Sequence, residues 1–131
     1  MTSGRTIRGV VVAHGPMATA MVDAVRRIAG DRADALVPVS NDGKGPDELR
    51  SELEDLVGEQ QAVVFTDLLA GSCGMAAMSS CRNRERRAVV AGVNLPMLLE
   101  FVFHDDLPLE ELVQRVQEKG RASIAQPVPR A

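Results

Sequence analysis

The chain has 131 residues and a formal net charge of −3 at neutral pH, with no Trp or Tyr and only three Phe. That length suits one domain able to bury about two thirds of its unfolded surface, so folding is expected to need neither a metal nor a disulfide. The acidic balance argues against a general nucleic-acid binder, because the one basic cluster, Arg82 to Arg87, is broken by Asn83 and Glu85, and no apolar stretch approaches the length of a membrane span.

In chain order, the first element is the apolar run Ile7 to Ala13, a Val-rich stretch of the kind found in parallel strands covered on both faces. It stops at His14-Gly15-Pro16. A helical stripe of Met21, Val22, Val25, Ile28 and Ala29 follows, opened by Pro16 at a first-turn position and closed by Gly30. Leu36 to Val39 forms the second strand, and Gly45-Pro46 then opens a helix bearing Leu49, Leu53, Leu56 and Val57, with Asp47 and Glu48 at its positive end. Ala62 to Asp67 is the third strand, Ser72 to Arg82 a helix, Ala88 to Val93 the fourth strand and Leu95 to Phe103 another helix. A last stripe, Leu109, Leu112, Val113 and Val116, starts near Pro108 and ends at Gly120. Ala122 to Gln126 is expected to add a short strand at an edge of its own sheet or a partner's. Pro127-Val128-Pro129 ends the domain, giving a single domain over 1–126 and a tail or linker stub over 127–131.

Strict alternation of strand and helix predicts an α/β fold: a doubly wound, mainly parallel four-stranded sheet with helices on both faces. Cys73 and Cys81 fall in one helix, about two turns apart, which rules against an intrachain bridge and predicts free thiols. Free thiols, with an amino end that lacks the charged-then-apolar plan of a secretory signal, predict a cytoplasmic protein.

Ligands of open α/β sheets bind at the carboxyl ends of parallel strands, beside helix amino ends whose N–H groups favour anions. His14 ends the first strand and Asp67 the third, so if those strands are neighbours the two side chains meet on one rim. A carboxylate holding one ring nitrogen fixes the tautomer and leaves the other nitrogen as nucleophile. The helix opened by Gly71 and Ser72 begins with small residues, including Cys73 and Gly74, so its unpaired backbone N–H groups are candidates to hold a phosphoryl group. Ser72 also serves as a helix cap in this reading. Leu68, Leu69 and Met75 would form an apolar docking rim, with core packing expected for at least one of them.

His14-Gly15 after an apolar strand, Asp67 followed by Gly71-Ser72, and the run Val90-Ala91-Gly92-Val93-Asn94-Leu95-Pro96-Met97-Leu98 together resemble the mannose-family IIA domain of the bacterial phosphoenolpyruvate-dependent phosphotransferase system (PTS), over roughly residues 7 to 126. The resemblance implies a phosphoryl carrier: His14 accepts from phospho-HPr, Asp67 orients it, Ser72 matches the serine of the helix-start loop, and the phosphoryl group passes to a IIB component. It further implies a homodimer exchanging a short antiparallel C-terminal edge strand, and no cofactor or metal. The family's Gly-Gly-Ser-Pro, followed by an aromatic residue and Asn, is replaced here by Ala70-Gly71-Ser72-Cys73-Gly74-Met75, which leaves the downstream partner and any sugar open. A regulatory role, phosphoryl donation to a phosphoenolpyruvate-dependent dihydroxyacetone kinase, and a docking module without phosphotransfer remain alternatives. Two rivals start from other chemistry: a hydrolase with Ser72 as nucleophile on a near Gly-x-Ser-x-Gly turn, for which His104 is the one histidine in the right chain order, and a metal centre of His14, Asp67, Cys73 and His104.

Overall fold

A computed structural model describes residues 6–83 and 85–130. Four strands, β1 (Arg8–Ala13), β2 (Leu36–Ser40), β3 (Ala62–Thr66) and β4 (Arg87–Ala91), form one sheet in the order β2-β1-β3-β4, and every pairing is parallel. The helices are α1 (Met17–Ala29), α2 (Pro46–Val57), α3 (Ser72–Ser80), α4 (Leu95–Phe103) and α5 (Leu109–Ala122), with a 3-10 segment at Gly30–Ala35. The order reverses after β1: the chain moves outward to β2, then returns to place β3 on the other side. That makes the β1/β3 boundary the switch point where a crevice opens.

Strand periodicity sorts the core. Val11, Ala13, Val63 and Phe65 face α1, α4 and α5, while Val10, Val12, Val39, Ala62 and Val64 face α2 and α3. With hardly any aromatic bulk, close approach replaces ring packing. A Cβ on Gly9 would fall 2.7 Å from Phe101 Cε2, so its absence lets that ring reach the sheet, where it meets Phe65 edge-on at 5.5 Å between centroids.

Several boundaries differ from the sequence reading. Helix α5 does not stop at Gly120 but runs on to Ala122. Gly120 is a contact residue instead, since a Cβ there would fall 2.5 Å from Met97 Cγ. The C-terminal strand is absent among the described residues: Ser123 and Ile124 N–H groups bond back to Lys119 and Arg121 carbonyls, which closes the helix end, and Pro127 and Pro129 offer no ladder donors. Helix α3 ends at Ser80, short of Arg82, and β4 covers Arg87–Ala91 rather than Ala88 to Val93. The basic cluster is also not merely solvated. Arg86 and Arg87 donate to the Glu59 and Gly58 carbonyls just past the end of α2.

Candidate functional site

The β1/β3 ladder runs to Val12 opposite Thr66, so the two strands release their chains at the same rim, with His14 and Asp67 immediately beyond. Asp67 lies one residue past β3 rather than inside it. Its Oδ2 stands 2.8 Å from His14 Nδ1 and accepts the His14 backbone N–H at 3.0 Å, while Oδ1 accepts the Leu68 N–H at 2.9 Å. The expected pair is therefore formed across a sequence separation of 53 residues.

Burial is the largest influence on the Asp67 carboxyl and pushes its pKa up. It is outweighed by the His14 backbone N–H, the His14 ring and its charge, and the Leu68 N–H, and the net position is below the ordinary value. An ionised carboxylate only accepts, so Nδ1 carries a proton, and in the neutral form of the ring Nε2 presents the lone pair. The side chains are unequally placed: His14 is 43% exposed and Asp67 9%. The ring is open to a visiting molecule while its anchor is sheltered.

The turn itself is braced from β2. Asn41 accepts the Gly15 N–H through Oδ1 at 3.2 Å and donates its own N–H to the Ala13 carbonyl at 3.3 Å. Sequence reasoning missed Asn41, although Ser40-Asn41-Asp42-Gly43 closes a parallel strand on the same rim as His14 and Asp67. On the other side, Thr66 is buried and its hydroxyl donates to the Leu68 carbonyl at 2.9 Å, fixing the descent into the loop.

Gly71, not Ser72, is the residue that enters α3. Its φ of +96° and ψ of −178° belong to a region essentially reserved for glycine, and no side chain caps this helix. A Cβ on Gly71 would stand 3.9 Å from His14 Nε2, so this backbone lies against the free nitrogen. The first bond of the helix runs from the Met75 N–H to the Gly71 carbonyl at 3.0 Å, which leaves the N–H groups of Ser72, Cys73 and Gly74 without partners inside the helix. Cys73 and Gly74 are buried. A Cβ on Gly74 would fall 1.9 Å from the Leu69 carbonyl oxygen, so only glycine lets α3 press onto the loop that follows Asp67.

Leu68, Leu69 and Met75 are 57%, 65% and 70% exposed, so none of the three packs into the core as one was expected to, and Met78 at 55% extends the same apolar surface. Of the four proposed metal ligands, His14, Asp67 and Cys73 offer ligand atoms within 4.8 Å of one another. His104 takes no part: its Nδ1 lies 3.1 Å from the Glu100 carbonyl and its Nε2 3.0 Å from Arg115. Those engagements also remove the base that a Ser72 hydrolase requires.

Fold and site together define a doubly wound α/β domain that delivers an open imidazole, its carboxylate partner and a helix start to one rim. Residues 9–117 match the EIIA-man model, "PTS system fructose IIA component", and the chain belongs to that family of phosphotransferase-system IIA proteins. The sorbose-specific EIIA component of Klebsiella pneumoniae is 30% identical over 118 residues, covering 85% of this chain and 84% of that protein. The mannose-specific EIIAB component of Escherichia coli K12 is 29% identical over 136 residues, covering 96% of this chain but 42% of that longer protein. Among solved structures, phosphotransferase system component EIIA from Streptococcus agalactiae superposes with a TM-score of 0.83 at 25% identity, covering 92% of this chain and 96% of that one. The mannose/sorbose-specific IIA subunit from Enterococcus faecalis has the same fold, with a TM-score of 0.84 at 24% identity over 96% of this chain and 98% of that one.

Proposed function

We propose that this protein is a phosphoryl carrier that accepts a phosphoryl group from phospho-HPr on His14 and passes it to a IIB component. The observation that carries this reading is the 2.8 Å contact of His14 Nδ1 with Asp67 beside an exposed ring. Nε2 attacks phosphorus in line, the N–P bond forms as the bond to the donor histidine of HPr breaks, and that histidine keeps the electron pair. Asp67 stabilises the charge that the ring gains. Loose phosphoryl transfer asks mainly for positioning and for donors facing the equatorial oxygens, the part assigned to the Gly71 to Gly74 backbone and the Ser72 hydroxyl. The reverse chemistry delivers the group onward, with no cofactor or metal. Leu68, Leu69 and Met75 provide the docking rim, as befits a site whose donor and acceptor are both proteins. Among the described residues no helix is long and apolar enough to cross a membrane, and we place the exchange in the cytoplasm, with any membrane contact made through a transporter's other components.

The tail is assigned to a second copy of the chain. Among the described residues β4 pairs only with β3, with no strand on its other edge, and Ile124 and Val128 are strongly exposed. An exchanged antiparallel strand would cover that edge. Light scattering should find a dimer for the full chain and a monomer for one ending at Ala122.

The test of the main proposal is labelling from phosphoenolpyruvate through enzyme I and HPr. Wild type should acquire an acid-labile, base-stable phosphate and His14→Ala none, with a cooperative melt showing that the variant is folded. Label persisting in folded His14→Ala would reject the assignment.

A further inference from the structure

We infer that the His14 site doubles as a binding site for a borderline-soft divalent cation, Zn2+ being the type, held by His14, Asp67 and Cys73 and exclusive of phosphorylation. The three residues offer an imidazole nitrogen, a carboxylate oxygen and a thiol sulfur within 4.8 Å of one another. Around a tetrahedral Zn2+, ligand atoms lie roughly 3.3–3.8 Å apart, so separations bounded by 4.8 Å need to close by no more than about 1.5 Å. The donor set suits that ion better than Mg2+ or Ca2+, which take oxygen ligands.

The placement of the three groups also suits an ion arriving from solvent. His14 is exposed and turns on a short loop, whereas Asp67 and Cys73 form a sheltered floor fixed by β3 and α3. The Asp67 carboxylate is already anchored through the backbone N–H groups of His14 and Leu68, so it can exchange its bond to the ring for one to a cation without losing its position. On binding, the Cys73 sulfur forms the metal bond as its proton passes to solvent, and water fills the fourth position.

A coordinated imidazole cannot serve as the nucleophile. Binding through Nε2 occupies the lone pair that would attack phosphorus. Binding through Nδ1 sends the ring's single proton to Nε2, with the same result. The inhibitory consequence rests on the carrier reading, but the binding itself does not.

The experiment titrates Co2+, then Zn2+, into full-length protein freed of metal by a chelator. Wild type should develop the visible bands of tetrahedral Co2+ and a near-ultraviolet thiolate-to-cobalt charge-transfer band, both abolished by added Zn2+. Cys73→Ser should lose the charge-transfer band, Cys81→Ser should keep it, and His14→Ala should bind at least about tenfold more weakly. Zn2+ should block phosphate labelling and excess chelator restore it. Absence of a thiolate band in wild type, or a band that survives Cys73→Ser or disappears with Cys81→Ser, overturns the inference. Protein that binds cobalt through Cys73 yet never labels rejects only the carrier reading; protein that labels without a thiolate band rejects only the cation site.

Discussion

Gly74→Ala sets two effects of known sign against each other. Alanine is favoured over glycine inside a helix by about 0.8–1.0 kcal/mol, so propensity alone predicts a more stable protein. The new methyl, however, would fall 1.9 Å from the Leu69 carbonyl oxygen, 2.6 Å from its carbon and 2.8 Å from the Leu68 oxygen. Relief requires backbone, not the tip of a flexible side chain, to move by at least about 1 Å. Overpacking of this kind costs about 1–3 kcal/mol, toward the upper end where the neighbour is main chain. Crowding therefore wins, by about 1–2 kcal/mol net, which for a domain of this size lowers Tm by roughly 3–10 °C. The displaced segment is the one that follows Asp67, so the rate of phosphate labelling should fall as well. Calorimetry and a labelling time course on the same preparation provide the check. A Tm equal to or above that of wild type would refute the account of why glycine stands at this position.

Asp67→Ala removes a charge-assisted hydrogen bond to the His14 ring, worth about 1.5–3 kcal/mol, so labelling should slow by about 10–100-fold without vanishing; a rate within twofold of wild type would contradict the orienting role. Because the folded pKa of Asp67 is depressed below its ordinary 3.8, its contribution to stability is present above that value and lost as pH falls through the folded one. Urea midpoints should accordingly drop more steeply for wild type than for Asp67→Ala as the pH is taken below about 4, and parallel curves would reject the linkage. Asn94→Ala should cost about 1–2 kcal/mol, because its side chain both accepts the Met97 N–H at the start of α4 and reaches the Gly120 carbonyl on α5. A shifted urea midpoint with unchanged labelling is the expected pattern.

Strand positions were legible because β1 and β3 are buried on both faces, which writes them as uninterrupted apolar runs, and α4 was bounded as expected because Asn94 and Pro96 are strong helix-start signals. His14 and Asp67 were legible for a related reason: each is the first ionisable side chain after such a run. What escaped were features set by tertiary approach. Gly120 carries the same one-letter signal as a helix stop, yet its role depends on Met97 lying across from it. Ser72 looked like a cap, but the positive φ at Gly71 moves the helix entry one residue earlier. The tail reads as strand by composition, while the bonds that close α5 hold it away from a ladder within the chain.

The His14–Asp67 pair is set on one rim by the main-chain ladder that ends at Val12 and Thr66 and is braced by the Asn41 and Thr66 side chains, whereas the docking surface proposed above is made of other side chains, on the adjoining loop and on α3. Chemistry and recognition are thus written in separable parts of the molecule. On the carrier reading proposed above, exchanging Leu68, Met75 or Met78 would change who is met and leave the His14–Asp67 pair in place, so one scaffold could be re-addressed to new clients.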